Sequence, residues 1–337
     1  MPSLRSLRNA RGSSGEDQPV DGLPEASSGP ERDPAAPPDG GEPASWELEE
    51  GAEIAPRRSV VRSLGGGRRF EVFLVWDEHL FSLAVAKVVR PDQAEDPRAL
   101  RELEHEATAL ERLSHPVLVR GFDAVLAGAH PHLLIEHLEG PTLRRTTRRG
   151  RTLPLEQLLP LAAHVGAALH YMAEEGWVHL DTKPDNIVMG VPPRLIDLSI
   201  ARTLARAEQV RVPIGTDAYM PPEQCKPDEH PGEIGPASDV WGLGATLYRA
   251  IAGDVPFPRP PGARDSDDPH VRFPQLGEEP RPLPDALPRE LGELIHACLA
   301  RAPAERPTAA DLVRALEPLV AALPRKLTFG RFGARMR

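Results

Sequence analysis

The hydrophobic period of this chain changes once, and that change limits the folds open to it. Up to residue 138 the apolar residues come in short runs, at Val60 and Val61, at 70–75 and at 83–89. Gly65-Gly66-Gly67 and Trp76-Asp77-Glu78-His79 supply turns between them, so three antiparallel strands are predicted. Residues 98–113 carry Leu103, Ala107, Leu110 and Leu113 at helical spacing, and two further strands fit 118–125 and 133–138. After Gly140 the period is helical, over 155–174, 237–252, 289–299 and 309–321. Strands first and helices later predict a two-lobed α+β protein. Its β-rich N-terminal lobe covers 57–138, its mainly helical C-terminal lobe covers 139–322, and a cleft lies near residues 136–140.

The first 56 residues have no such period. They hold nine prolines, seven serines and twelve acids against four arginines, a net charge of −8 out of the chain's −10. A segment so poor in apolar residues cannot offset its ordering entropy, and residues 1–56 are expected to form a disordered acidic tail. Ser13, Ser14, Ser27 and Ser28 are its candidate phosphate acceptors, and a cytoplasmic regulatory partner would bind there. Residues 323–337 carry five basic residues and no acid and are expected to be a basic tail. Two cysteines, Cys225 and Cys298, exclude a disulfide framework or a four-cysteine zinc site and suit a reducing cytoplasm. There is no apolar run of ~18 residues and no signal-peptide pattern, so a cytoplasmic location without a membrane span is expected. The acidic balance and the lack of a basic stripe disfavour nucleic acid.

Lysine is scarce, with four in 337 residues, so its positions carry information. One lies in His179-Leu180-Asp181-Thr182-Lys183-Pro184-Asp185-Asn186, and eleven residues after Asn186 comes Asp197, in Leu195-Ile196-Asp197-Leu198-Ser199. Phosphoryl transfer needs a carboxylate to accept or orient the hydroxyl proton, a cation against the γ-phosphate, and oxygen ligands for Mg²⁺. Asp181, Lys183, Asn186 and Asp197 present all of these groups. Asp and Asn also cap turns beside proline, but that explains single residues, not the set. A second lysine ends Leu83-Ala84-Val85-Ala86-Lys87, where strand alternation puts Leu83, Val85 and Lys87 on one face. A lysine on an apolar strand is costly unless paired. Glu102, Glu104 and Glu106 are the candidate partners, and Glu106 lies on the stripe of Leu103 and Leu110.

Over about residues 58–317 these segments resemble the eukaryotic-type protein kinase family in its bacterial Ser/Thr branch. That family's loop reads His-Arg-Asp-x-Lys-x-x-Asn and its metal motif Asp-Phe-Gly. The resemblance implies a bilobal protein kinase-like fold and a Ser/Thr kinase using ATP and Mg²⁺ on protein substrates. It implies Asp181 as catalytic base, Lys183 on the γ-phosphate, Asn186 and Asp197 on the metal, and Lys87, paired with Glu106, on the α- and β-phosphates. Gly65 and Gly67 match two glycines of the phosphate-covering loop. Val72 and Val85 would cover the adenine, Ile135 would be the gatekeeper, and Glu136 and Leu138 would offer backbone groups to the base. Gly215-Thr216-Asp217-Ala218-Tyr219-Met220-Pro221-Pro222-Glu223 resembles the substrate-docking loop. Glu223 and Arg306 are expected to form a buried ion pair.

Three departures qualify the resemblance. Leu180 replaces the Arg that grips an activation-loop phosphate, and between Leu198 and Gly215 the only hydroxyls are Ser199 and Thr203. Together they predict control that does not depend on activation-loop phosphorylation. Ser199 replaces the last glycine of Asp-Phe-Gly, which disfavours a flipped-out Asp197. Phe70 replaces the third loop glycine, which is expected to loosen or reshape the phosphate cover. There are two alternatives: a pseudokinase acting as a nucleotide-binding scaffold on the same fold, and a small-molecule kinase. The first predicts loss of Lys87, Asp181, Asn186 or Asp197, and all four are present. The docking loop argues against the second. The proline-rich stretch 253–288 is expected to be a surface insertion.

Overall fold

A computed structural model describes residues 43–230 and 232–323. Its N-terminal part is one antiparallel sheet of six strands: β1 (Glu53–Ala55), β2 (Arg58–Gly66), β3 (Phe70–Asp77), β4 (Ser82–Val89), β5 (Gly121–Val125) and β6 (His132–Glu136), in the order β1-β2-β3-β4-β6-β5. Helix α1 (Pro97–Arg112) packs on it. It starts where expected, because Pro97 suits a first helical position and the Asp96 carboxylate accepts from Arg98 N at 2.9 Å. Its buried stripe is Ala99, Leu103, Glu106, Ala109 and Leu110.

The rest is mainly helical. The long elements are α2 (Leu155–Glu174), α3 (Pro236–Ala252), α4 (Arg289–Cys298) and α5 (Ala309–Ala321). Short strands β7 (Trp177–Val178), β8 (Ile187–Val188), β9 (Arg194–Leu195) and β10 (Arg202–Thr203) carry the loops between α2 and α3. β7 pairs with β10, and β8 pairs with β9. One apolar core runs through these helices and reaches up to Leu103, Leu110 and Leu133 of the sheet lobe. This bilobal arrangement is the expected α+β protein kinase-like fold.

Three expectations are corrected. The strand expected at 118–125 starts at Gly121, because the preceding residues join the large lobe. Leu195 N donates to Val117 O at 2.7 Å and Val119 N to Leu195 O at 3.0 Å. The strand expected at 133–138 ends at Glu136, and the chain then turns at Gly140, whose φ of +131° favours glycine. A Cβ at Gly140 would meet Met189 O at 2.4 Å.

Residues 43–56, expected to belong to a disordered acidic tail, are instead structured. β1 pairs with β2, and Ile54 is buried against Val60, Phe73, Val75, Ala84, Ala86, Val88 and Leu134, with Trp46 and Leu48 packed alongside. These three apolar residues of the segment cover the sheet face opposite α1. Residues 1–42, with the four candidate acceptor serines, and the basic stretch 324–337 lie outside the described residues. No helix among the described residues is long and apolar enough to cross a membrane.

Candidate active site

β4 explains the position of its lysine. Ala84, Ala86 and Val88 are buried on one side, while Val85 and Lys87 point to the other. Val72 pairs opposite Lys87, and both Leu74 and Ile135 pair opposite Val85. Residues directly opposite share a face. Val72, Val85, Lys87 and Ile135 therefore line one surface, and through Lys87 it meets the large lobe.

Lys87 Nζ donates to Glu106 Oε2 at 2.7 Å and to Asp197 Oδ1 at 3.3 Å. The sequence offered three glutamates; Glu102 pairs instead with Arg69, and Glu104 is exposed. Burial alone would lower the Lys87 ammonium, but Asp197 and Glu106 outweigh it and hold the charge well above its ordinary range. Burial pushes the Glu106 carboxyl up against the pull of Lys87. Burial acts the same way on Asp197, where Lys87 overcomes it and keeps the carboxyl well below the usual carboxylate range.

The loop after β7 is held from below. Asp239 on α3 accepts from His179 N and Leu180 N, both at 2.7 Å, and Leu180 takes a φ of +65°. The loop thereby gathers its chemical groups at one point. Lys183 Nζ lies 2.7 Å from Asp181 Oδ2 and donates to Thr216 Oγ1 at 2.7 Å, while that hydroxyl donates to Asp181 Oδ1 at 2.8 Å. Asn186 Nδ2 donates to Asp181 O at 2.9 Å and Oδ2 at 3.1 Å. Burial would lower the Lys183 ammonium, but Asp181, with Asp197 and Asp185, raises it above its ordinary value. The cluster is a carboxylate held between a hydroxyl, an ammonium and a carboxamide. Thr216 is a member that residue spacing did not single out; its signal was its place in the Gly-Thr pair at 215–216.

Asn186 and Asp197 lie on adjacent strand ends. Ile196 N donates to Asn186 O at 2.8 Å, beside the β8–β9 pairing. With its Nδ2 committed to Asp181, Asn186 has Oδ1 left as an acceptor. That oxygen and the Asp197 carboxylate are hard donors of the kind magnesium takes, so the donor set fits.

The glycine-rich stretch is the β2–β3 hairpin, closed by Gly67 N donating to Phe70 O at 2.9 Å. Gly65 has φ +99°, but the position where packing demands glycine is Gly66, where a Cβ would lie 2.4 Å from Phe70 O. Phe70 stands at the position of the third glycine. Its ring centroid lies 4.9 Å from Lys87 Nζ.

At the lobe junction the Glu136 side chain has a task that its sequence position did not reveal. It pairs with Arg194 on β9 and with Arg120 at 3.0 Å, and Arg194 also donates to Leu118 O at 2.7 Å. Burial would raise this carboxyl, but Arg120 and Arg194 hold it below its usual value. Leu138 is half-buried on the same connection.

The stretch 253–288 is more than a surface insertion. Arg259 pairs with the buried carboxylate of Asp217 at 2.7 Å and Arg272 at 3.4 Å. Gln275 Nε2 donates to Asp217 O at 2.7 Å and Met220 O at 3.0 Å. The segment thus supports the loop that carries Thr216. The expected Glu223–Arg306 pair is present, bidentate at 2.6 and 2.9 Å, and both side chains are 0% exposed.

The protein kinase domain model matches residues 58–316. The serine/threonine-protein kinase PknB of Mycobacterium leprae is 30% identical over 273 residues, 77% of this chain and 42% of that protein. The probable serine/threonine-protein kinase PkwA of Thermomonospora curvata is 34% identical over 266 residues, 78% of this chain and 34% of that protein. The chain therefore spans less than half the length of these relatives.

Proposed function

The chain belongs to the protein kinase domain family, in its bacterial eukaryotic-type Ser/Thr branch, and from that premise we propose that it transfers the γ-phosphate of ATP to Ser or Thr hydroxyls of a protein. The observation that carries the reading is the Lys87–Glu106 pair reaching Asp197 while Asp181, Lys183 and Thr216 converge below. A scaffold without catalysis predicts loss of Lys87, Asp181, Asn186 or Asp197, and all four are present.

Asp181 orients the acceptor hydroxyl and takes its proton. Thr216 and Lys183 occupy its two oxygens, so an incoming hydroxyl replaces one of those contacts. Lys183 neutralises charge on the γ-phosphate, and Lys87 holds the α- and β-phosphates in the geometry that Glu106 sets. Gly65 and Gly67 bring backbone toward the phosphates. Val72 and Val85 cover the adenine, with Ile135 behind it and backbone groups of Glu136 and Leu138 at its edge. Asn186 and Asp197 would hold Mg²⁺, which when bound neutralises the phosphate oxygens.

Control without activation-loop phosphorylation is part of the reading. Leu180 is buried with Val178, Ala207 and Ile234, against Ile200, Leu204 and Val210. Apolar packing thus stands where the family's Arg would grip a phosphate. The test is binding of a fluorescent ATP analogue alongside transfer to a generic basic substrate. Wild type binds and transfers, while Lys87→Met loses transfer. Equal transfer by both would contradict the assignment.

A further inference from the structure

The glycine-rich hairpin is tied from behind by residues outside the matched domain. Glu71, the second residue of β3, is buried. Its Oε1 accepts from Ser45 Oγ at 2.6 Å, and its Oε2 accepts from Trp46 N at 3.0 Å. Arg90, also buried, lies 3.4 Å from the same carboxylate. Arg90 Nε donates to Gly67 O at 2.7 Å, in the hairpin turn, and Nη1 donates to Ala44 O at 2.8 Å. The Trp46 indole donates to Val89 O at 2.7 Å and meets the His130 ring edge-on.

We propose that Glu71 and Arg90 are positioning residues for the phosphate-covering hairpin, and that the strap at residues 44–46 is the latch that sets them. Buried charges persist only while their hydrogen-bonding groups are satisfied. Detaching the strap takes two donors from Glu71 and one acceptor from Arg90. Both then turn toward water, and Gly67 O loses its tie. Three successive glycines have no side chains with which to hold themselves. Whatever displaces the strap therefore loosens the hairpin and weakens nucleotide binding. Residues 1–42 are continuous in sequence with the latch, so a partner bound there has a route to the nucleotide. This inference rests on the proposed nucleotide site.

The test uses the full chain with Ser45→Asp, which sets a carboxylate against Glu71, and Arg90→Lys, which keeps the charge but loses the fork. Amide hydrogen exchange is followed at residues 65–72, and KM for ATP is separated from kcat. Both variants are expected to exchange about tenfold faster in the hairpin while α2 and α3 keep wild-type rates. KM for ATP should rise about fivefold with kcat nearly unchanged. Unchanged hairpin exchange in both variants overturns the latch, and faster exchange with an unchanged KM overturns the positioning role. If the wild type neither binds nor turns over ATP, the functional reading fails, and the exchange rates alone still decide the latch.

Discussion

The ring of Phe70 lies 4.9 Å from the ammonium of Lys87, in the place where the family pattern has a glycine. A cation held against the π-face of a ring gains about 0.5–2 kcal/mol, depending on how dry the site is. Lys87 is mostly buried, so the contact counts. Phe70 adds a third restraint to a lysine already held by Glu106 and Asp197. Phe70→Leu keeps apolar bulk and removes the π-face. It is expected to lower kcat/KM about three- to tenfold, and steady-state kinetics with varied ATP checks this.

The apolar seat of Leu180 gives a second prediction. Leu180→Ala opens a cavity beneath the activation segment and should cost about 2–4 kcal/mol of stability, read by denaturant unfolding. Activity of the wild type should survive complete dephosphorylation. Loss of activity on phosphatase treatment, restored by phosphate on Thr203, would contradict control by packing.

Asp217 is the third case. Arg259 pairs with it at 2.7 Å, and removing that guanidinium leaves a buried carboxylate with the more distant Arg272. Arg259→Ala should raise KM for the protein substrate severalfold, more than KM for ATP, because the loop it supports reaches the Asp181 carboxylate directly through Thr216. Paired kinetics with each substrate varied separates the two.

The pair Glu223–Arg306 should behave as structure alone. Both side chains are fully buried, and Ser238 Oγ adds a bond to Glu223 at 2.8 Å. Removing one partner strands the other charge, so Arg306→Ala is expected to destabilise the fold by about 3–5 kcal/mol. Thermal unfolding of the variant measures it.

The pH dependence follows from Lys87 and Asp197. The folded pKa of Lys87 lies above its unfolded value of 10.5, so its stabilisation is complete below 10.5 and lost only as pH rises through the folded value. The folded pKa of Asp197 lies below 3.8, so its contribution is present above 3.8 and lost as pH falls through the folded value. These two groups should add no slope to stability across the neutral range. Unfolding free energies of wild type and Lys87→Met, compared from mildly acidic to mildly alkaline pH, should diverge as pH rises, because without Lys87 the buried Glu106 carboxyl resists ionising in the folded variant.

Much of this site was legible in the sequence because four of its groups lie in two short segments whose spacing carries the chemistry. Asp181, Lys183, Asn186 and Asp197 are brought together by local turns, and Lys87 was found by strand alternation. Helices 155–174 and 309–321 have the expected bounds because their apolar period is uninterrupted. What stayed hidden depends on partners distant in the chain. Trp46 sits in a proline-rich acidic stretch, and nothing local shows that Val89 O awaits its indole 43 residues away. Asp217 reads as a docking-loop residue until Arg259 and Arg272 are seen to neutralise it. Glu136 reads as a hinge backbone until Arg194, 58 residues on, claims its carboxylate.

The central claim is that Asp181 acts on the acceptor hydroxyl, and Asp181→Asn tests it most directly. Asparagine keeps the size and most of the hydrogen bonding to Thr216 and Lys183, but cannot take the proton. Purified wild type and variant would be incubated with magnesium and ATP labelled at the γ-phosphate, with a basic protein substrate. The account predicts label in protein with the wild type and at least a hundredfold less with the variant, at equal nucleotide affinity. Equal labelling by the two proteins would contradict it.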